Sequence, residues 1–143
     1  MKVLLVVPTF NYTAQPLPLL SLSDFPSGFA YIAAALEEAR HTVMGLNPNN
    51  SPSQDKAFYM LTNKLYDALR WKPDLIGLGG ICTDFTFLRD AIEIIRKFAP
   101  GTPIVLGGGI ISNDREFIFN LLKPDFGIVG EGEETVVKLA NMI

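Results

Sequence analysis

The sequence predicts an α/β protein with a doubly wound, five-stranded parallel sheet of the Rossmann-like or flavodoxin-like type, in the order 2-1-3-4-5, with helices on both faces. Three observations carry this expectation. Short apolar runs alternate five times with longer amphipathic stretches, which is the pattern of strand-crossover-strand units. These runs suit strands buried on both faces, as parallel strands under helices are. Three of the runs, residues 75–78, 104–106 and 126–129, pass straight into glycine, at Gly79-Gly80, Gly107-Gly108-Gly109 and Gly130. In open parallel sheets the carboxyl ends of the strands form the crevice in which ligands sit.

Length and composition fit one domain. The chain has 143 residues, 48% of them apolar, enough for a core of its own. A formal net charge of -3 argues against a nucleic-acid partner, which needs a basic face for phosphates. The single cysteine, Cys82, excludes an internal disulfide and any multi-cysteine metal site within the chain, and fits a reducing, cytoplasmic setting. The opening run is too short to span a membrane and has no cleavage region behind it, so no membrane partner is expected.

Residues 2–7 are rich in valine and leucine and end at Pro8, which predicts the first strand. Residues 8–25 form a long connection carrying Phe10, Tyr12, Leu17, Leu19, Leu20, Leu22 and Phe25, too apolar to lie bare in water. Asp24 or Ser27 is the candidate cap of the next helix, with Pro26 in its first turn and Phe29, Ile32, Ala33 and Leu36 on its inner face. Residues 41–46 read as strand two and 47–54 as a loop. Residues 57–69 form a helix with Met60, Leu61, Leu65 and Ala68 inward. Strand three spans 75–78, and a third helix, 85–98, turns Leu88, Ile92 and Ile95 inward. A short helix over 114–122 follows strand four. The tripeptide Lys72-Pro73-Asp74 recurs as Lys123-Pro124-Asp125 before strand five, where proline stops a helix and aspartate turns the chain into a strand. The last helix begins within 131–134 and meets no stop signal, so the natural chain is expected to continue past it.

The switch point of this strand order lies between strands one and three, so Pro8, Thr9, Phe10 and Asn11 and the turn 79–84 line the expected crevice. Gly107 to Ile110 and Gly130 to Glu133 extend its rim. Glycines let backbone approach a ligand with no Cβ in the way; as single pairs they equally well just end strands. Gly77-Leu78-Gly79 is no dinucleotide fingerprint, since Cys82 stands where the third glycine belongs. The first loop has hydroxyls without glycine, which disfavours FMN, and a phospho-receiver's acids and lysine are missing. His41 opens strand two at the edge opposite the rim and reads as a surface residue. A nucleotide-binding domain and a cofactor-free flavodoxin-like interaction domain both remain open on these residues alone.

The combination of Pro8, the segment from Pro26-Ser27-Gly28-Phe29 to His41-Thr42-Val43, Gly79-Gly80-Ile81-Cys82-Thr83, Gly107-Gly108-Gly109 and, above all, Gly130-Glu131-Gly132-Glu133-Glu134-Thr135 resembles the amino-terminal cobalamin-binding domain of B12-dependent radical SAM enzymes. The resemblance spans nearly the whole chain. It implies cobalamin held at the carboxyl edge of the sheet by Pro8, Thr9, Phe10, Gly79, Gly80, Ile81, Cys82, Thr83, Gly107, Gly108, Gly109, Gly130, Glu131, Gly132 and Glu133. The nucleotide tail would enter the crevice beside strands one and three. Glu131 and Glu133 would meet ribose hydroxyls or corrin amides, or else serve only as negative charge at a helix amino end. Cobalamin modules with a histidine on cobalt carry Asp-x-His-x-x-Gly after strand one. Here that place reads Pro8-Thr9-Phe10-Asn11-Tyr12-Thr13, which implies base-off cobalamin with no protein imidazole. S-adenosylmethionine and a [4Fe-4S] cluster would belong to a following barrel domain of the same parent chain, since one cysteine cannot hold a cluster. No catalytic residue is expected in this chain by itself.

Overall fold

The structure is a computed structural model that describes residues 1–9, 12, 26–50 and 56–143. One sheet holds β1 (Lys2–Val6), β2 (Thr42–Leu46), β3 (Leu75–Gly79), β4 (Ile104–Gly107) and β5 (Phe126–Gly127). Its order is β2-β1-β3-β4-β5 and every neighbouring pair is parallel, as expected. Six α-helices occur among the described residues: α1 (Ser27–Glu38), α2 (Ala57–Leu69), α3 (Phe85–Phe98), α4 (Gly109–Asn113), α5 (Arg115–Leu122) and α6 (Glu133–Met142). Phe10, the apolar residues of the segment that follows Tyr12 and the Asp24 cap lie outside the described residues.

Successive side chains on a strand point to opposite faces, and this alternation builds two separate cores. Leu4, Val6, Ile76, Leu78, Ile104 and Leu106 face α2, α3, α4 and α5, where Leu61, Leu65, Phe87, Leu88, Ile95 and Ile110 complete a large apolar cluster. Val3, Leu5, Leu75 and Val105 face the other way, toward Leu36 of α1 and Val136 and Ala140 of α6. The inner faces expected for α2 and α3 are the buried ones, except that on α2 Leu69 is buried and Ala68 only partly covered. Leu36 is the buried residue of α1, while Phe29, Ile32 and Ala33 are only partly covered.

Four local expectations need correction. The first intrahelical bond of α1 runs from the Ala30 N–H to the Pro26 carbonyl, so Pro26 stands at the cap position and Ser27 inside the first turn, with no side-chain cap made among the described residues. Strand β5 pairs only at Phe126 and Gly127; the Ile128 N–H still reaches the Leu106 carbonyl, but the chain then turns away through Gly130 at φ +78°. Gly109, grouped with the glycines that end strand four, instead starts an extra helix, α4. Pro48–Asn50, expected as loop, forms a 3-10 turn.

The repeated Lys-Pro-Asp tripeptide is one device used twice. Lys72 and Lys123 both adopt a left-handed conformation, at φ 55° and 52°, just past a helix end. The aspartate two residues on then exchanges two bonds with the first residue of the adjacent strand. Asp74 accepts from the Lys2 N–H at 2.6 Å and its own N–H donates to the Lys2 carbonyl. Asp125 does the same with Ile104, accepting at 2.6 Å, and also holds Arg96 at 2.8 Å. Partial burial pushes the Asp125 carboxyl up, but the Ile104 N–H and the Arg96 guanidinium outweigh it and hold it below the ordinary carboxylate range. A depressed carboxyl stabilises the fold when ionised, so its contribution is full at neutral pH and is lost as the pH falls through the folded value. Asp125→Ala is expected to lower the unfolding free energy by about 1–3 kcal/mol at neutral pH, the usual cost of stranding a buried donor. Denaturant titrations of both proteins across the acid range should show the difference shrinking toward low pH; a constant difference would mean that the carboxylate charge plays no part.

Candidate functional site

The face of the sheet under α1 and α6 is stripped of side chains at its carboxyl end. Ile76 and Leu78 turn into the large core, which leaves Gly77 and Gly79 on the opposite face of β3. Gly79 pairs in register with Gly107 of β4. Gly79 and Gly107 thus leave two neighbouring positions without side chains where Leu or Val would otherwise stand, while at Gly77 the Leu5 side chain takes the space, 2.7 Å from where a Cβ would be. The result is a crevice of about 230 Å³ between the sheet and the amino-terminal ends of α1 and α6. Leu5, Val105, Ile128 and Val136 form its floor; Phe29 and Ile32 form the wall on the α1 side.

Of the residues singled out in the sequence, Gly79, Gly80, Gly107, Gly108, Gly130, Glu131, Gly132 and Glu133 line this crevice. The others do not. Ile81, Cys82 and Thr83 lie on an exposed turn beside the mouth. The hydrogen side of Gly109 faces the Ile81 side chain, 3.4 Å from where a Cβ would be. The Pro8 carbonyl accepts from the Asn49 amide at 2.9 Å. Thr9 is buried, and among the described residues its hydroxyl has no hydrogen-bond partner. His41 stands at the opposite edge of the sheet, half-buried rather than on the open surface, with its Nδ1 3.4 Å from the Met1 amine. Leu5, Phe29, Ile32, Gly77, Val105, Ile128 and Val136 were not expected at the site. The signal that points to them is the two-residue spacing of Gly77 and Gly79 on a strand whose other residues are large.

The mouth is held by close backbone contacts. Gly108 has φ +85°, and a Cβ there would stand 2.7 Å from the Gly80 carbonyl oxygen and 2.9 Å from its nitrogen. The same Gly80 carbonyl accepts from the Ile110 N–H at 3.0 Å, so the turns after β3 and β4 are locked together. Asp84 accepts from the Ile81 N–H at 2.9 Å and sits against Gly80, tightening the first of these turns. Ser112 of α4 accepts from the Gly130 N–H at 3.2 Å, tying in the turn after β5. A Cβ on Gly132 would lie 3.0 Å from the Ile32 side chain, so α1 and the start of α6 also meet closely. Glu131 is exposed and Glu133 half-buried at the start of α6, and among the described residues neither enters an ion pair.

Beside the mouth, on the α3 side, Tyr12 is pinned down. Its hydroxyl donates to Asp90 at 3.0 Å, and its ring meets Phe87 edge-on at 5.3 Å. Arg89 donates to the other Asp90 oxygen from Nε and from its terminal nitrogen, at 3.0 and 2.8 Å. Burial, then the charge and hydrogen bond of Asp90, push the Tyr12 hydroxyl well above the usual tyrosine range, so it stays a donor. The buried Asp90 charge is matched by Arg89 at the surface.

This architecture defines an α/β binding module with an apolar crevice at the carboxyl edge of a parallel sheet. The chain belongs to the B12 binding domain family, whose profile matches residues 24–140. It is similar in structure to a novel cobalamin-binding protein from Desulfitobacterium hafniense DCB-2, with a TM-score of 0.66 and 14% identity. The alignment covers 99% of this chain and 57% of that one, so the chain spans little more than half the length of that protein. Among curated proteins, none matches the sequence closely.

Gly108→Ala combines a left-handed φ with contact against backbone, and is expected to cost at least about 2 kcal/mol of stability. Urea unfolding of the variant checks this; a cost below about 0.5 kcal/mol would show that the paired turns yield easily.

Proposed function

We propose that this chain binds cobalamin, with the corrin over the carboxyl ends of the strands and the nucleotide tail in the crevice under α1 and α6. The glycine-stripped face of β3 and β4 is the observation that carries this reading. A Cβ on Gly107 would meet nothing within 4 Å, so the absent side chain leaves space that a ligand can take. The crevice, at about 230 Å³, is smaller than the roughly 300–1,000 Å³ typical of a whole small-molecule site. It suits the tail of a large cofactor whose flat ring stays outside. The tight glycine turns at Gly80, Gly108 and Gly130 offer that ring close backbone, while Glu131 and Glu133 stand where hydroxyls or amides of the cofactor would meet acceptors. Ile81, Cys82 and Thr83 then form the outer lip under the ring's edge, with Pro8, Thr9, Phe10 and Gly109 as the remaining candidate contacts.

The reading has the lower base displaced from cobalt and no protein imidazole in its place. In support, the sole histidine, His41, lies at the far edge of the sheet. When bound, cobalamin supplies cobalt-centred methyl or radical chemistry; the residues of this chain bind and orient it. The 143 residues are taken as a single cobalamin-binding domain, a fragment of a longer B12-dependent radical SAM protein. A carboxyl-terminal barrel with a Cys-x-x-x-Cys-x-x-Cys cluster site and S-adenosylmethionine would carry out methyl transfer or a related step there. A cytoplasmic setting is part of the same reading. No helix among the described residues is long and apolar enough to cross a membrane.

Protein mixed with hydroxocobalamin and desalted is expected to stay coloured, with corrin absorbance in the protein peak. Gly107→Val fills the crevice without demanding an unusual φ, and should weaken binding at least about tenfold while the fold melts as before. A colourless wild-type eluate would favour a cofactor-free docking domain instead. His41→Ala is expected to leave the spectrum of bound cobalt unchanged; a histidine-ligated signal that disappears in this variant would overturn the imidazole-free assignment.

A further inference from the structure

The crevice changes character with depth. Its mouth carries backbone of Gly79, Gly107 and Gly130 and the carboxylates of Glu131 and Glu133. Its floor is Leu5, Val105, Ile128 and Val136, each less than one-tenth exposed. The backbone beneath them is already committed. Leu5, Gly77 and Val105 sit in parallel ladders, Ile128 donates to Leu106, and the Val136 N–H donates to the Gly132 carbonyl. Among the described residues, the floor therefore presents no side-chain donor or acceptor, and the Ile128 and Val136 N–H groups are already bonded. A ring whose buried edge carries amine or ring-nitrogen groups would leave water there without replacement bonds, whereas a methylated hydrocarbon edge loses nothing.

We propose that this floor selects the lower base of the corrinoid, accepting a dimethylbenzimidazole and rejecting a purine such as adenine. The inference rests on the reading that the nucleotide tail enters this crevice. Dimethylbenzimidazole presents two methyl groups on the edge farthest from its ribose. Adenine presents an exocyclic amine and ring nitrogens on the corresponding edge, so Leu5, Val105, Ile128 and Val136 meet polar groups they cannot satisfy. Base choice is then set by the apolar floor, while the mouth, which touches the common part of the cofactor, contributes equally to both.

The test is a set of absorbance titrations of the full chain with hydroxocobalamin, its adenine-based analogue and cobinamide, which lacks the base. Cobalamin is expected to bind at least about tenfold more tightly than the adenine analogue, one unsatisfied polar group being worth about that much. Cobinamide should also bind more weakly than cobalamin. Val105→Thr and Val136→Thr each keep the shape and add a hydroxyl, and at least one of them should narrow the gap between the two bases threefold or more. Equal affinity of wild type for both bases would overturn base selection while leaving the cobalamin assignment intact. A gap that neither threonine variant alters would overturn the role of the floor. No binding of any of the three would overturn the cobalamin reading itself.

Discussion

The register between β3 and β4 is the constraint on which the molecule depends. Parallel pairing sets Ile76 against Ile104, Leu78 against Leu106 and Gly79 against Gly107. Because the side-chain period of a strand is two, this one alignment sends every large residue of these segments to the α2 and α3 side except Leu75 and Val105. A slip of one residue would put leucine in the crevice and glycine in the core. Hydrophobic burial therefore holds the register, and the register in turn opens the site. The same interaction that stabilises one face keeps the other face vacant.

The two faces differ in what they ask of their helices. On the α2 and α3 side, Phe87, Leu88 and Ile95 are wholly buried and close over the strands along their length. On the α1 and α6 side the seal is made at the amino end of the sheet by Leu36, Val136 and Ala140 against Val3, Leu5 and Leu75. Toward the carboxyl end, Phe29 and Ile32 bridge across to Gly79 and Gly132 instead of filling the gap beneath them. Half of this layer is thus core and half is binding wall, which is why α1 has only one fully buried residue in twelve.

The sheet order, the helix positions and the glycine rim were legible from the sequence because each rests on local pattern. Apolar runs ending in glycine mark strands and their direction, and the spacing in 57–69 and 85–98 is that of helices with one wet face. What stayed hidden depends on which face a residue takes. Gly77 looks like an interruption in a strand until its neighbours Ile76 and Leu78 are seen to point away from it. Leu5, Val105 and Val136 look like core and are core, yet they also form the floor of a cavity. Glycines alone located the mouth; the walls came from residues whose spacing says only that they are buried. Cys82 and Thr83 were drawn into the site by their place in a turn, and the 3-10 geometry of Cys82–Asp84 carries them outward beside it. The Lys-Pro-Asp echo was visible as letters, but its meaning lay in a bond to a strand more than seventy residues away in one copy.

The locking of the turns after β3 and β4 through Gly80, Gly108 and Ile110 makes that side of the mouth a rigid jaw. Neither turn can swing without pulling the other and, with it, two central strands. The opposite jaw consists of helix ends that meet the turns through side-chain tips, Phe29 against Gly79 and Ile32 against Gly132. Among the described residues, one side of the mouth is thus an anvil of bonded backbone and the other a seam of aromatic and aliphatic tips from a single helix.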